Sequence, residues 1–114
     1  MSLSPEPSSL EIEVFYFEDC PHHLSTLERI HQVLREEGRH AEVREVLVPD
    51  TRAAQAARFL GSPTVRVNGI DIEPEAREQT DFSLMCRRYS DGVPSHESIG
   101  RAVRSAPNIG DPAQ

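Results

Sequence analysis

The chain has 114 residues, the length of one ordinary domain, and 37% of them are hydrophobic. Its formal net charge of −7 argues against nucleic acid and membrane surfaces as main partners, because both are usually negatively charged. No segment approaches the roughly 20 apolar residues needed to span a bilayer. The first residues are rich in Pro and Ser and lack the basic start and apolar centre of a secretory signal, so we expect residence in the cytoplasm.

The domain boundaries follow from composition. We expect a flexible leader over residues 1–10, one folded domain over 11–105 and a flexible tail over 106–114. The two cysteines, Cys20 and Cys86, are too few and too far apart for a disulfide scaffold. In a reducing compartment both should therefore be thiols at rest.

The first half of the domain alternates strand patterns with helical patterns. We predict a strand over 11–17, a helix over 21–37, a strand over 41–48 and a helix over 52–60. Gly38 and Gly61 should end the two helices, and Asp50 or Thr51 should cap the start of the second. Phe59 is expected in the core.

The second half begins with a strand that starts at Pro63. We then predict a turn at Asn68-Gly69, a surface excursion over 71–81 with a helical turn over 75–78, a strand over 82–89 and a helix over 96–104 capped by Ser95. The alternation predicts an α/β fold with parallel strand pairs and an antiparallel edge. The expected sheet is mixed and four-stranded, in the order 2-1-3-4, with helices on both faces.

Cys20 occupies the junction between the first strand and the first helix. Unpaired backbone N–H groups and the positive end of the helix dipole meet at such a place, and they stabilise a thiolate. Pro21 suits the first helical position, because its missing N–H is not needed there. The alternative is that Cys20 is an inert, small apolar residue at the end of a strand.

Two stretches of the chain resemble the thioredoxin-like superfamily. They are Cys20-Pro21-His22-His23, at the place of that family's C-x-x-C motif, and Gly61-Ser62-Pro63-Thr64-Val65, which is similar to the segment around its cis-proline. The resemblance covers residues 11 to about 104. The later strand is more similar to small bacterial members of that family, some of them associated with mercury resistance.

The resemblance implies a thiol–disulfide oxidoreductase in which Cys20 is the reactive thiol. It implies that the Ser62–Pro63 bond is cis, lies beside Cys20 and shapes a substrate groove. In that groove Pro63 would be a catalytic-site residue, and the backbone of Ser62 and Thr64 would align a partner chain. Pro21 and His22 would complete the groove.

His23 stands where the family has its second cysteine, so the mixed disulfide formed by Cys20 needs another thiol for its release. A low-molecular-weight thiol, a partner protein or Cys86 could supply it. We estimate Cys86 roughly 10 Å along its strand from the active edge, whereas a direct bond requires Cα atoms within about 7 Å. We therefore favour Cys86 as a structural or second thiol over a resolving one.

The two histidines have two interpretations. An imidazolium near Cys20 would favour its thiolate, and a neutral imidazole could act as a base. Position i+3 places His23 on the side of Cys20, whereas His22 points elsewhere. The alternative is that both are solvated side chains of the first turn.

Two other classes of function stay open. Cys20 and His23 could bind a soft metal ion such as Hg²⁺ or Cu(I), although the four-ligand pattern of structural zinc is absent. The chain could also be a non-catalytic interaction module that holds an extended peptide between Cys20 and Pro63. No phosphate loop or Ser-His-Asp arrangement is present, and we expect no cofactor and no resident metal.

Overall fold

The computed structural model describes residues 10–80, 82, 87, 89 and 93–106. Its elements in chain order are strand β1 (Leu10–Tyr16), helix α1 (His23–Glu37), strand β2 (Ala41–Leu47), helix α2 (Thr51–Ala56), strand β3 (Thr64–Val67), strand β4 (Ile70–Asp71), a 3₁₀ helix (Pro74–Glu78) and helix α3 (His96–Ser105). Within these ranges, no helix has the length and apolar character that crossing a bilayer requires.

The predicted leader and tail lie outside the described residues except at their inner ends. Leu10 was expected in the leader, but it belongs to β1 and is buried in the core. Ala106, the first residue of the expected tail, packs against the same core. Leu10 and Ala106 therefore belong to the folded part of the chain.

The four strands form one mixed sheet in the order β2-β1-β3-β4, as predicted. β1 and β2 are parallel, whereas β1 and β3 are antiparallel, so the parallel direction predicted for the second pair is wrong. α2 has six residues and is about 9 Å long, too short to carry the chain back along a strand of about 23 Å. The hydroxyl of Ser62 accepts a hydrogen bond from the N–H of Phe17 at 3.4 Å. This contact shows that the chain is still at the carboxyl end of β1 when β3 begins.

The fourth strand lies earlier in the chain than predicted. Asn68 and Gly69 both have left-handed backbone conformations, with φ of 52° and 85°, and they form the predicted two-residue turn. The chain therefore folds back at once, and β4 follows the turn directly. Residues 82, 87 and 89 of the strand predicted over 82–89 are outside any strand, and the others lie outside the described residues. The 3₁₀ helix corresponds to the predicted helical turn.

Helices cover both faces of the sheet. On one face, α1 and α3 pack against alternate residues of β1, and this cluster includes Leu10, Ile12, Val14, Ile30, Val33, Ile99 and Val103. On the other face, Phe15 packs with Val48, Ala54 and Phe59. The alternation of side chains along β1 explains why its neighbouring residues Val14 and Phe15 join different clusters.

The helix ends confirm most of the predicted caps. Gly38 ends α1 in the left-handed conformation, the Asp50 carboxylate accepts a hydrogen bond from the N–H of Ala53 at 2.8 Å, and Ser95 caps α3. α2 ends at Ala56 rather than at residue 60, and Arg58 beyond it has a φ of 57°. Phe59 is fully buried, as predicted.

Candidate functional site

Cys20 is a free, half-buried thiol in the loop between β1 and α1. Two successive turns hold this residue. Its N–H donates to the Phe17 carbonyl at 3.2 Å, and its own carbonyl accepts from the N–H of His23 at 3.4 Å. Asp19, within the first of these turns, has a φ of 68°. The thiol is thus placed by the backbone of the loop that follows the carboxyl end of β1.

Helix α1 begins two residues later than predicted, at His23 instead of Pro21. His22 is the residue before the helix, and its carbonyl accepts both the N–H of Thr26 at 3.1 Å and the Thr26 hydroxyl at 2.7 Å. Because the N–H of His23 is used by the turn from Cys20, regular helical hydrogen bonding starts only after that turn. Pro21 is exposed and lies in the turn, ahead of the first helical residue.

The side chain of His23 packs against the sheet. Its ring stacks on Tyr16 with centroids 3.7 Å apart and an angle of 11° between the planes. Its Nε2 lies 2.8 Å from a carboxylate oxygen of Glu45 in β2, without the alignment of a good hydrogen bond. Assistance to Cys20 by His23 stays a prediction.

The loop before β3 lies beside the loop that carries Cys20. The Ser62–Pro63 bond is cis, as the resemblance implies. The contact between the Ser62 hydroxyl and the Phe17 N–H joins this loop to the turn that ends at Cys20. The two motifs, separated by about forty residues in the sequence, are therefore brought together by the sheet.

Residues from later in the chain cover the expected groove. Ser62, Pro63 and Thr64 are all buried. The N–H of Arg87 donates to the Ser62 carbonyl at 2.9 Å, and the Tyr89 hydroxyl donates to the Pro63 carbonyl at 2.7 Å. Both carbonyls of the expected groove thus already accept a hydrogen bond from within the chain. Cys86, the candidate second thiol, lies outside the described residues.

A different cleft opens beside the Cys20 loop. It has a volume of about 320 Å³ and is lined by Phe17, Glu18, Leu47, Val48 and Pro49. Leu47, at the end of β2, is 47% exposed there, and the carbonyl of Phe17 is the one bonded to the N–H of Cys20. Sequence reasoning missed this cleft, because Leu47 belongs to a strand pattern that predicts burial. The cleft offers apolar surface beside the loop that carries the thiol.

A buried polar network holds the covering residues in place. The Arg87 guanidinium contacts both carboxylate oxygens of Asp71 and also donates to the Thr64 hydroxyl at 3.2 Å. Burial by itself lowers the pKa of Arg87, but the hydrogen bonds to Asp71 together with the nearby Tyr89, Asp71 and Glu73 outweigh burial, and the pKa is raised. Burial also raises the pKa of Tyr89. No local pattern in the sequence indicates this network, because the acidic stretch around Asp71 predicts a surface segment.

Comparison with models of protein families, with curated proteins and with solved structures finds no match to this chain. Across the described residues, no group of three or more His, Cys, Asp or Glu is placed to hold a metal ion. The assignment of function therefore depends on the geometry around Cys20.

Proposed function

We propose that the chain is a thioredoxin-like monothiol protein that carries out thiol–disulfide exchange through Cys20. The observation that supports this most directly is the position of the thiol: it is half-buried, follows the carboxyl end of the central strand β1, and lies beside the loop of residues 61–64. This arrangement matches what the resemblance of the two motifs implies. Its partners would be protein disulfides or low-molecular-weight disulfides and thiols.

The proposed reaction has two exchange steps. The Cys20 thiolate attacks one sulfur of a disulfide, forming a new bond to that sulfur while the other sulfur leaves as a thiolate. A second, external thiolate then attacks the mixed disulfide, takes its sulfur partner and restores the Cys20 thiolate. Each step breaks one S–S bond and forms one, so no other oxidant or reductant is needed. In the reducing cytoplasm that we propose for this chain, low-molecular-weight thiols would supply the second step.

The cleft beside the Cys20 loop is the side from which we propose that the disulfide approaches. Its lining of Phe17, Leu47, Val48 and Pro49 would favour an apolar group next to the reacting sulfur. The Ser62–Thr64 side is occupied by Arg87 and Tyr89, so a substrate need not displace them if it enters through this cleft.

The proposal is tested by mass spectrometry of the protein after incubation with oxidised glutathione and with hydroxyethyl disulfide. We expect a single mixed disulfide on Cys20 in the wild type and in Cys86→Ser, and its release on addition of reduced thiol. Peptide mapping distinguishes the two thiols, and the double variant Cys20→Ser/Cys86→Ser should give no releasable adduct. Absence of an adduct on Cys20, or equal turnover by Cys20→Ser, would contradict the proposal.

The same samples distinguish the other two functions. Tight uptake of one Hg²⁺ that blocks Cys20, without turnover of disulfides, would replace the proposal with a thiophilic metal site. Neither adduct nor uptake would indicate a non-catalytic interaction module. An intrachain Cys20–Cys86 peptide from dilute oxidised protein would show that Cys86 is the resolving thiol.

A further inference from the structure

A second cavity, of about 260 Å³, lies between the end of α2, the β3–β4 hairpin and the 3₁₀ helix. Residues of the Cys20 loop do not line it. Its walls include three arginines and three apolar side chains, namely Arg58, Arg66, Arg77, Leu60, Ile70 and Phe82. We refer to it as the arginine cavity.

The three guanidinium groups of the arginine cavity have no carboxylate partner in the described ranges. Arg66 donates to the carbonyls of Ala57 and Arg58, each at 2.8 Å, and Arg77 donates to the Asp71 carbonyl at 2.8 Å. These acceptors are neutral. Asp71 also borders the cavity, and its carboxylate is engaged by the guanidinium of Arg87.

The positive charges therefore accumulate locally in a chain whose formal net charge is −7. Burial lowers the pKa of Arg66, and the nearby charges of Arg87 and Arg58 lower it further. Asp71 and Glu13 oppose this effect without reversing it. A bound anion would relieve the repulsion among the guanidiniums, and arginine presents planar donors that match carboxylate and phosphate oxygens.

The rest of the lining is apolar. The guanidinium of Arg58 lies 5.0 Å from the centre of the Phe82 ring, so charge and aromatic surface occur together. Ile70 is 55% exposed at the cavity although it is a large aliphatic residue. A small inorganic anion would leave this apolar surface in water, whereas an anion with an apolar body would cover it.

We propose that the arginine cavity binds a small organic anion, with a carboxylate or phosphate head group contacting Arg58 and Arg77 and an apolar body against Ile70 and Phe82. The site is separate from the thiol chemistry of Cys20 and does not depend on it. Arg66 shapes the cavity wall through its bonds to the carbonyls that follow α2.

Binding is measured by titrating isotope-labelled protein with phenyl phosphate, benzoate and benzyl alcohol, and following the backbone amide signals. We expect saturable shifts at cavity residues such as Gly69, Ile70 and Gln79 for one or both anions, and no saturable shifts there for benzyl alcohol. The anion that binds with the higher affinity identifies the preferred head group, phosphate or carboxylate. Arg58→Gln and Arg77→Gln should each weaken binding about three- to tenfold.

Arg52→Gln is the matched control, because Arg52 is an exposed arginine of α2 that does not line the cavity. The affinity of this variant for the anion should equal that of the wild type. If a cavity variant fails to fold, the wild type alone still tests the idea, since the affinity should fall as sodium chloride is raised. Equal binding of benzyl alcohol, no saturable binding of either anion, or affinity that is insensitive to both variants and to salt would overturn the proposal.

Discussion

The guanidinium of Arg87 and the carboxylate of Asp71 form a two-point ion pair in the interior, with N–O distances of 2.7 and 3.0 Å. Only 10% of the Arg87 side chain and 8% of the Asp71 side chain are exposed. Asp71 belongs to β4, and the backbone of Arg87 is bonded to Ser62. The pair therefore ties the loop before β3 to the edge of the sheet.

Replacing Asp71 with Asn should destabilise the protein strongly, because it leaves the Arg87 charge buried without a counter-charge. Breaking a buried ion pair from one side costs about 3 kcal/mol. Urea unfolding of Asp71→Asn and of the exposed-pair control Arg101→Gln checks this; Arg101 pairs with Glu97 on the surface of α3. A loss in Asp71→Asn no larger than in the control would show that the pair is not buried as described.

Local patterns in the sequence were enough to predict much of the fold. The apolar run of β1, the caps at Asp50 and Ser95 and the turn at Asn68-Gly69 each depend on neighbouring residues, and all are confirmed. The sheet order also agrees. What the sequence could not show depends on contacts between distant residues, such as the antiparallel ladder that pairs β3 with β1 and the bond from Phe17 to Ser62 beside it.

The candidate site was predicted less completely than the fold. Sequence spacing predicts His23 on the Cys20 side of a helix. In the structure its ring contacts Tyr16 in β1 and Glu45 in β2. The parallel pairing that brings these two strands together has no local signal in the sequence. The burial of Asp71 likewise depends on its ion pair with Arg87, which lies sixteen residues further along the chain. The cleft at Leu47 forms between the loop after β1 and the loop after β2, so it too depends on residues distant in the sequence.

The hydroxyl of Tyr89 should make stability depend on alkaline pH. Burial raises the pKa of Tyr89 above its ordinary value of about 10, so the folded protein holds this proton more tightly than the unfolded chain does. The free energy of unfolding should therefore fall as the pH rises above about 10. Urea unfolding at pH 8 and at about pH 11 should show a smaller fall in Tyr89→Phe than in the wild type. An equal fall in the free energy of unfolding of the two proteins would refute the role given to the Tyr89 hydroxyl.

His23 should contribute more to stability than to the reactivity of Cys20. Its ring stacks on Tyr16, and an aromatic pair of this kind is worth about 1 kcal/mol. We expect His23→Ala to lose about this amount in urea unfolding, and His23→Phe to retain most of it. The rate of Cys20 alkylation at neutral pH, measured in Cys86→Ser, should change less than about twofold in both, because the ring is directed at the sheet. A tenfold slower rate in both variants would instead support a direct role for the imidazole.

Leu47 should favour apolar disulfides over polar ones. It lines the cleft beside Cys20 and is partly exposed, so Leu47→Ser should leave the fold intact. We expect the reaction with dipyridyl disulfide to slow about threefold and that with hydroxyethyl disulfide to change little. Leu24→Ser is the matched control, because Leu24 is 69% exposed on α1 and does not line the cleft. Equal slowing in both variants would exclude a specific contact at Leu47.

Gly61 should tolerate substitution poorly. Its φ is 120°, and an added Cβ would lie 3.0 to 3.1 Å from the Cβ, Cα and N atoms of Arg87. Backbone atoms cannot move aside as a flexible side chain can, so Gly61→Ala should cost about 3 kcal/mol. Gly38→Ala, with a φ of 66° and open space around it, should cost about 1 kcal/mol. Similar losses for the two variants in urea unfolding would argue against the close approach of Arg87.

The two outer strands of the sheet bear on how the protein behaves when concentrated. In the part of the chain that the structure describes, β2 and β4 are the edges. β2 presents exposed charges at Glu42, Arg44 and Glu45, and β4 is only two residues long. Growth of fibrils by addition of strands needs a long, flat and uncharged edge as a template. Both margins of this sheet are poor templates, which favours a protein that stays dispersed at high concentration.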